Sequence, residues 1–160
     1  MTDITDTELG YGKTLTFLDL LKASKVEIPI VQRDYAQGRI ENKRVLQEFL
    51  DALKDSVVSN EEIKLDFIYG NNSYEVFQPL DGQQRLTTLF LLHWYAATKE
   101  HKLNEGVKEL LSNFSYETRI SSREFCKDLV DNSIIINEDE FPSSKIIDSN
   151  WFFIYLTLDS

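Results

Sequence analysis

The chain has 160 residues, 42% of them hydrophobic and 12% aromatic, with only 6 Gly and 3 Pro. That is enough for one domain with a buried core, and it excludes a disordered or linker-rich chain. A net charge of −10 excludes indiscriminate DNA binding, which begins with Lys and Arg neutralising phosphates, but leaves room for a local basic pocket.

The opening MTDITDTELG is acidic and polar, without the basic and apolar regions of a signal peptide. No apolar run approaches the ~18 residues of a membrane span. The single Cys cannot form an internal disulfide, which is compatible with a reducing compartment. The expectation is a soluble, cytoplasmic protein with no membrane partner.

Residues 1–13 are expected to form a flexible N-terminus. From Thr14 to Lys22, Leu15, Leu18 and Leu21 share one helical face, and Thr16 with Asp19 makes a capping pair for a late start. Val26 to Val31 is extended, and Pro29 favours an edge strand or a loop beside one. Gln32 to Arg39 is a polar connection. Leu46, Phe49, Leu50 and Leu53 then repeat at helical spacing over 42–53. Leu65 to Tyr69 and Ser73 to Phe77 are short β-type runs, and Gly70-Asn71-Asn72 between them signals a hairpin turn.

Pro79 holds Gln78 extended before a turn at Asp81-Gly82. From Gln84 to Lys99 the chain is apolar on nearly all sides, which predicts a buried helix at the centre of the fold. Glu105 to Phe114 reads as an amphipathic helix bearing Val107, Leu110, Leu111 and Phe114. Ser121 to Glu124 reads as a capping box, opening a helix that buries Phe125, Leu129 and Val130. Asn137 to Lys145 is a polar loop. The apolar Trp151 to Leu156 near the last residue predicts continuation into a further C-terminal region. The expected organisation is a core over 14–100 and a helical extension over 101–160.

Several stretches invite a chemical reading. Gly12-Lys13-Thr14 suggests a phosphate loop, but that motif needs Gly at position 7, where Thr7 stands, and a preceding apolar strand. A helix start is the better reading. His93, His101 and Cys126 lack metal-ligand spacing, and Cys126 beside Phe125 reads as a small core residue. The Gln32-Arg33 pair follows an apolar extended run, so it is either an exposed loop or a pair pointing into a cleft at a strand end. Tyr35 either stacks on a base or covers the core.

The stretch LDGQQRLTTL, residues 80–89, is the most informative. Gly82 permits a backbone conformation or a close approach that a side chain would block. The amides of Gln83, Gln84 and Arg85 are the free donors of the next helix's first turn. Together with the helix dipole and the Arg85 guanidinium they make an anion site. Asp81 is suited to a ribose hydroxyl or to Mg²⁺, and the Gln side chains to donor and acceptor edges. The alternative is purely structural, with Asp81 an N-cap and Arg85 an internal ion-pair partner.

IPIVQRDY (28–35), LDGQQRLTTL (80–89) and FSYETRISSREF (114–125) together resemble the N-terminal domain of GmrSD-type modification-dependent restriction enzymes. The order and spacing agree over about residues 12–130. The resemblance implies an α+β, ParB/sulfiredoxin-like core: a small mixed sheet packed with several helices, with the central buried helix after the DGQQR turn. It implies a nucleotide near the strand-to-helix turn, and a regulatory or sensing role that extends to NTP hydrolysis. By position, Gln32, Arg33, Tyr35, Gly82 and Arg85 fall to nucleotide binding. Asp81, Gln83 and Gln84 match the same signature motif, and by analogy with phosphoryl transfer in general Gln83 or Gln84 would position the water and Asp81 the Mg²⁺; Tyr116, Arg119 and Arg123 match an accessory motif. DNA would be engaged through the full-length protein or a partner nuclease domain, since no His-Asn-His pattern surrounds His93 or His101. An oligomer is compatible with this reading. The alternatives are a binding-only sensor, an interaction scaffold, or a ParB-like DNA-nicking domain.

Overall fold

The computed structural model of the protein describes residues 12–29, 43–117, 120–132, 134–137, 141–149 and 151–152. In chain order these form α1 (Phe17–Ala23), β1 (Lys25–Ile28), α2 (Lys43–Ser59), β2 (Gly70–Ser73), β3 (Val76–Pro79) and α3 (Gln83–Lys99). There follow α4 (Glu105–Leu111), β4 (Phe114–Tyr116), α5 (Ile120–Asp131) and α6 (Pro142–Ile147). The architecture is α+β, as expected.

The sheet order is β2-β3-β1-β4. β1 pairs in parallel with β3 and with β4, with Val26 opposite Phe77 on one side and opposite Phe114 on the other. β2 and β3 form an antiparallel hairpin in which Gly70 faces Pro79 and Ser73 faces Val76. Residues 101 onward therefore supply a strand to this sheet as well as α4, α5 and α6.

β1 is central in the sheet, not at its edge. Pro29 follows its last residue, where the missing N–H costs no ladder bond. The hairpin turn also differs from expectation. It lies at Tyr74-Glu75, both at positive φ (50° and 67°), as a two-residue primed turn requires. Gly70 is used differently: a Cβ there would sit 2.1 Å from the Gln78 carbonyl oxygen, so its smallness permits close strand approach. Phe114 ends no helix; α4 stops at Leu111 and Phe114 opens β4. α5 begins at Ile120, so Ser121 lies inside it and not at its cap. The loop expected over 137–145 gives way to α6 at Pro142, a residue whose fixed φ suits the first helical turn.

The helix starts read more directly. Thr16 caps α1 by accepting from the Asp19 amide at 3.1 Å, while its own hydroxyl donates to the Asp19 carboxylate at 2.7 Å. α3 is the central helix. Leu86, Phe90 and Trp94 are buried along one face, and Leu89, Leu91 and Tyr95 pack half-buried beside them. Phe90 stacks on Phe114 of β4 with centroids 4.7 Å apart, and Trp94 Nε1 donates to the Leu129 carbonyl of α5 at 2.6 Å. The core thus ties α3 to both the sheet and α5.

Cys126 is buried in this core, and burial pushes its thiol from 9.0 up to about 12. It is packing, not a nucleophile. The native protein should resist iodoacetamide at pH 8 and label fully once unfolded in urea, with rapid native labelling counting against this placement. Because folding raises this pKa, the thiol's contribution is intact below pH 9 and is lost as pH rises through 12.

Candidate site at the strand-to-helix turn

β3 ends at Pro79, and the chain must turn sharply to start α3 at Gln83. The Leu80 and Asp81 amides both donate to the Tyr69 carbonyl, at 2.8 and 3.2 Å, which prolongs the hairpin past its last pair. Gly82 then adopts φ +84°, ψ +7°, a left-handed conformation that glycine takes without steric cost. Its carbonyl accepts the Leu86 amide at 2.9 Å and begins the helix. A Cβ on Gly82 would lie 2.6 Å from Ile68 Cγ1, so the position lacks room for one.

Gln83 is buried, and its Nε2 donates to the Pro79 carbonyl at 2.7 Å, closing the turn from inside. Gln84 is half-buried and its carbonyl accepts the Thr88 hydroxyl at 2.9 Å. Arg85 turns back over the turn. Its Nη2 donates to the Phe67 carbonyl at 2.9 Å and to Asp81 Oδ2 at 3.2 Å, while Nη1 stands 3.8 Å from Asp66 Oδ2. Nη1 is buried and has no hydrogen-bond partner. Asp81 is exposed and does not cap the helix; Gly82 is the cap residue.

Sequence reasoning missed the segment Asp66 to Tyr69 as part of this arrangement. Ile68 fills the space beside Gly82, and the Phe67 and Tyr69 carbonyls receive the motif's donors. Backbone carbonyl acceptors carry no residue signature, so the β-type run over 65–69 was the only signal present.

The parallel strands β3, β1 and β4 all finish at the same end of the sheet; the second motif follows β3, the first starts at the last residue of β1, and the third contains β4. Ligands in open sheets with parallel strands bind at this end. Tyr116, the last residue of β4, shares a 2.9 Å hydrogen bond between its hydroxyl and Thr87 of α3, so the third motif does meet the second. Its ring also stands edge-on to Phe114 at 6.0 Å. Arg123 is exposed on α5. Gln32, Arg33, Tyr35 and Arg119 lie outside the described residues.

His93 is committed to the protein: Nδ1 bonds the Leu89 carbonyl at 2.7 Å and the ring lies 5.0 Å from Phe17. Among the described residues no group of three or more His, Cys, Asp or Glu converges, and no helix is long and apolar enough to cross a membrane. A depression of ≈ 280 Å³ lined by Lys22, Lys25, Tyr74, Glu75 and Asn113 sits at the starts of the parallel strands, the opposite end from the Asp81–Arg85 turn.

No curated protein and no solved structure gives a match to the sequence. Residues 16–152, which span α1 to α6 and the whole sheet, match the family described as GmrSD restriction endonuclease, N-terminal domain. The chain belongs to the GmrSD restriction endonuclease N-terminal domain family.

Proposed function

We propose that this domain binds the polyphosphate of a nucleotide at the Asp81–Arg85 turn and serves as the regulatory module of a restriction and phage-defence protein. The observation that carries the reading is the buried Nη1 of Arg85 in the first turn of α3, which has no hydrogen bond and stands 3.8 Å from Asp66 Oδ2. A buried donor without an acceptor costs about 1–3 kcal/mol, which a ligand oxygen would relieve. The first-turn amides and the helix dipole favour the same negative charge.

The residues fit a nucleotide with Mg²⁺ in one way. A Mg²⁺ ion would rest on Asp81 and on phosphate oxygens, and would neutralise charge on the phosphates. Gln83 Nε2 holds the turn through Pro79, so positioning of an attacking water falls to Gln84. Gln32 and Arg33, which follow β1 in the sequence, would add a second guanidinium and an amide. Tyr35 would cover the base, and Tyr116, Arg119 and Arg123 would flank the site.

Calorimetric titration with ATP and GTP, each with Mg²⁺, tests the reading. Wild type should bind at least one of them, and Arg85→Ala should weaken that binding by roughly tenfold or more, the worth of a charge-assisted hydrogen bond. Phosphate release measured in parallel separates hydrolysis from sensing, with Gln84→Ala slowing release while affinity persists. The observed Arg85 contacts also favour a second reading, a purely structural turn. In that case Arg85→Ala lowers stability, yet no nucleotide at ~100-fold over micromolar levels supplies the ~2.7 kcal/mol of stabilisation that a saturating ligand gives.

A further inference from the structure

The sheet ends on β2, and every residue of that strand, Gly70 to Ser73, is exposed. In an antiparallel pair, opposed residues alternate between exchanging both backbone hydrogen bonds and exchanging none. The 2.8 Å bond from the Leu80 amide to the Tyr69 carbonyl sets that alternation here, and Pro79, which has no N–H, stands opposite Gly70 in a non-bonded pair. Gly70 and Asn72 therefore turn their N–H and C=O groups away from β3, where they meet no partner among the described residues. Edges that must stay unpaired are short or covered, or carry Lys, Pro or a bulge. β2 has no Lys or Pro, its register is unbroken, and the Tyr69–Leu80 pair lengthens its ladder. Tyr69 and Leu80 share one sheet face, 62% and 56% exposed.

We propose that β2 is a strand-addition site for an extended, basic peptide segment of a partner protein. Main-chain groups of the added strand would pair with Gly70 and Asn72, and every second side chain would lie beside Tyr69. Apolar residues suit those positions. Charge selects the rest of the occupant. Residues 61–85, which form the hairpin and both its flanks, carry Glu61, Glu62, Asp66, Glu75 and Asp81 against only Lys64 and Arg85. The Asp66 side chain is 99% exposed, whereas that of Arg85 is 19% exposed and turned onto the Phe67 carbonyl, so the surface beside the edge is negative. Lys25 lies on β1, two strands inward. The same charge repels a nucleic-acid strand. It also opposes a second copy of the chain, whose edge would set carboxylates against carboxylates.

Selection of a phage-displayed library of random linear dodecapeptides on the full chain tests the proposal. Enriched sequences should carry net positive charge and apolar residues at alternate positions. The leading sequence is then synthesised and its binding followed by fluorescence anisotropy. Methylating its backbone amides one at a time should weaken binding roughly tenfold or more at every second position and little in between, because alternate amides face β2. Asn72→Pro removes an outward N–H and spares the bonds to β3, so it should weaken binding by a similar factor while the circular dichroism of the chain persists. The methylation scan uses the wild-type chain and decides the matter even where that variant fails to fold. No enrichment, enrichment of acidic peptides, or methylation effects without alternation would each overturn strand addition. A dimer in solution that Asn72→Pro dissociates would put a second copy on the edge and overturn it as well. None of these readouts involves a nucleotide, so their outcome is independent of the polyphosphate reading.

Discussion

Gly82→Ala should lose about 2–5 kcal/mol of stability, as a lowered urea midpoint at constant slope. Two costs combine. A residue with a Cβ held at φ +84° loses about 1–2 kcal/mol relative to glycine. The new methyl would also meet Ile68 Cγ1 at 2.6 Å and Arg85 Nη2 at 3.3 Å, and overpacking of this kind costs about 1–3 kcal/mol. Ile68 is β-branched, so it has few rotamers in which to retreat. The two costs are separable by a double-mutant cycle. Adding Ile68→Ala should recover the steric part and leave the backbone part, giving a coupling of about 1 kcal/mol or more. Strict additivity would mean that Ile68 is not what fills the space. Because the same methyl crowds Arg85, the substitution should also impair any anion binding at the turn. The double mutant should restore part of it.

How much of this arrangement was legible depends on the kind of signal each residue gives. The stretch over 84–99, apolar on nearly all sides, announced a buried helix, because an exposed element does not tolerate such a pattern, and α3 is that helix. Thr16 and Asp19 announced the start of α1 because cap chemistry is local. Gly70 misled because smallness has two uses, left-handed turns and close approach, and sequence does not distinguish them. The turn instead fell on Tyr74-Glu75, whose side chains give no hint of positive φ. Phe114 fits a helical period and a strand equally well, and only its pairing opposite Val26 decides between them.

The site divides along the same line. That Gly82 starts a helix after a strand was readable from Pro79, Gly82 and the apolar run that follows. That Arg85 reaches to Phe67 and Asp66 was not, because a backbone carbonyl has no sequence signature. The structural and ligand-binding alternatives for DGQQR also turn out to be compatible. Gln83 and the Nη2 of Arg85 hold the turn together, while Nη1 is buried without a hydrogen bond, 3.8 Å from Asp66 Oδ2. A motif in which one part fixes geometry and another stays unsatisfied is what a preformed binding site requires.

The turn can be preformed only if α3 is rigidly seated on the sheet, and Phe90 is where that seating is concentrated. Its ring is fully buried and stacks on Phe114 with planes 17° apart, in a core shared with Leu86, Leu129 and Val130. Phe90→Ala should cost about 3–5 kcal/mol, from the lost burial and the cavity left between helix and strand. For a domain whose total stability is about 5–15 kcal/mol, that is about a fifth or more of the reserve. Phe90→Leu keeps most of the volume and should cost less than half as much, so the pair distinguishes a packing effect from a general intolerance at this position. The Tyr116–Thr87 hydrogen bond spans the same helix–strand contact near the site, and stands or falls with it. Where Phe90→Ala remains folded, the nucleotide affinity proposed for the turn should drop along with stability, although Phe90 is too deeply buried to touch a ligand. A loss below about 1 kcal/mol would contradict the seating of α3 on β4 described here.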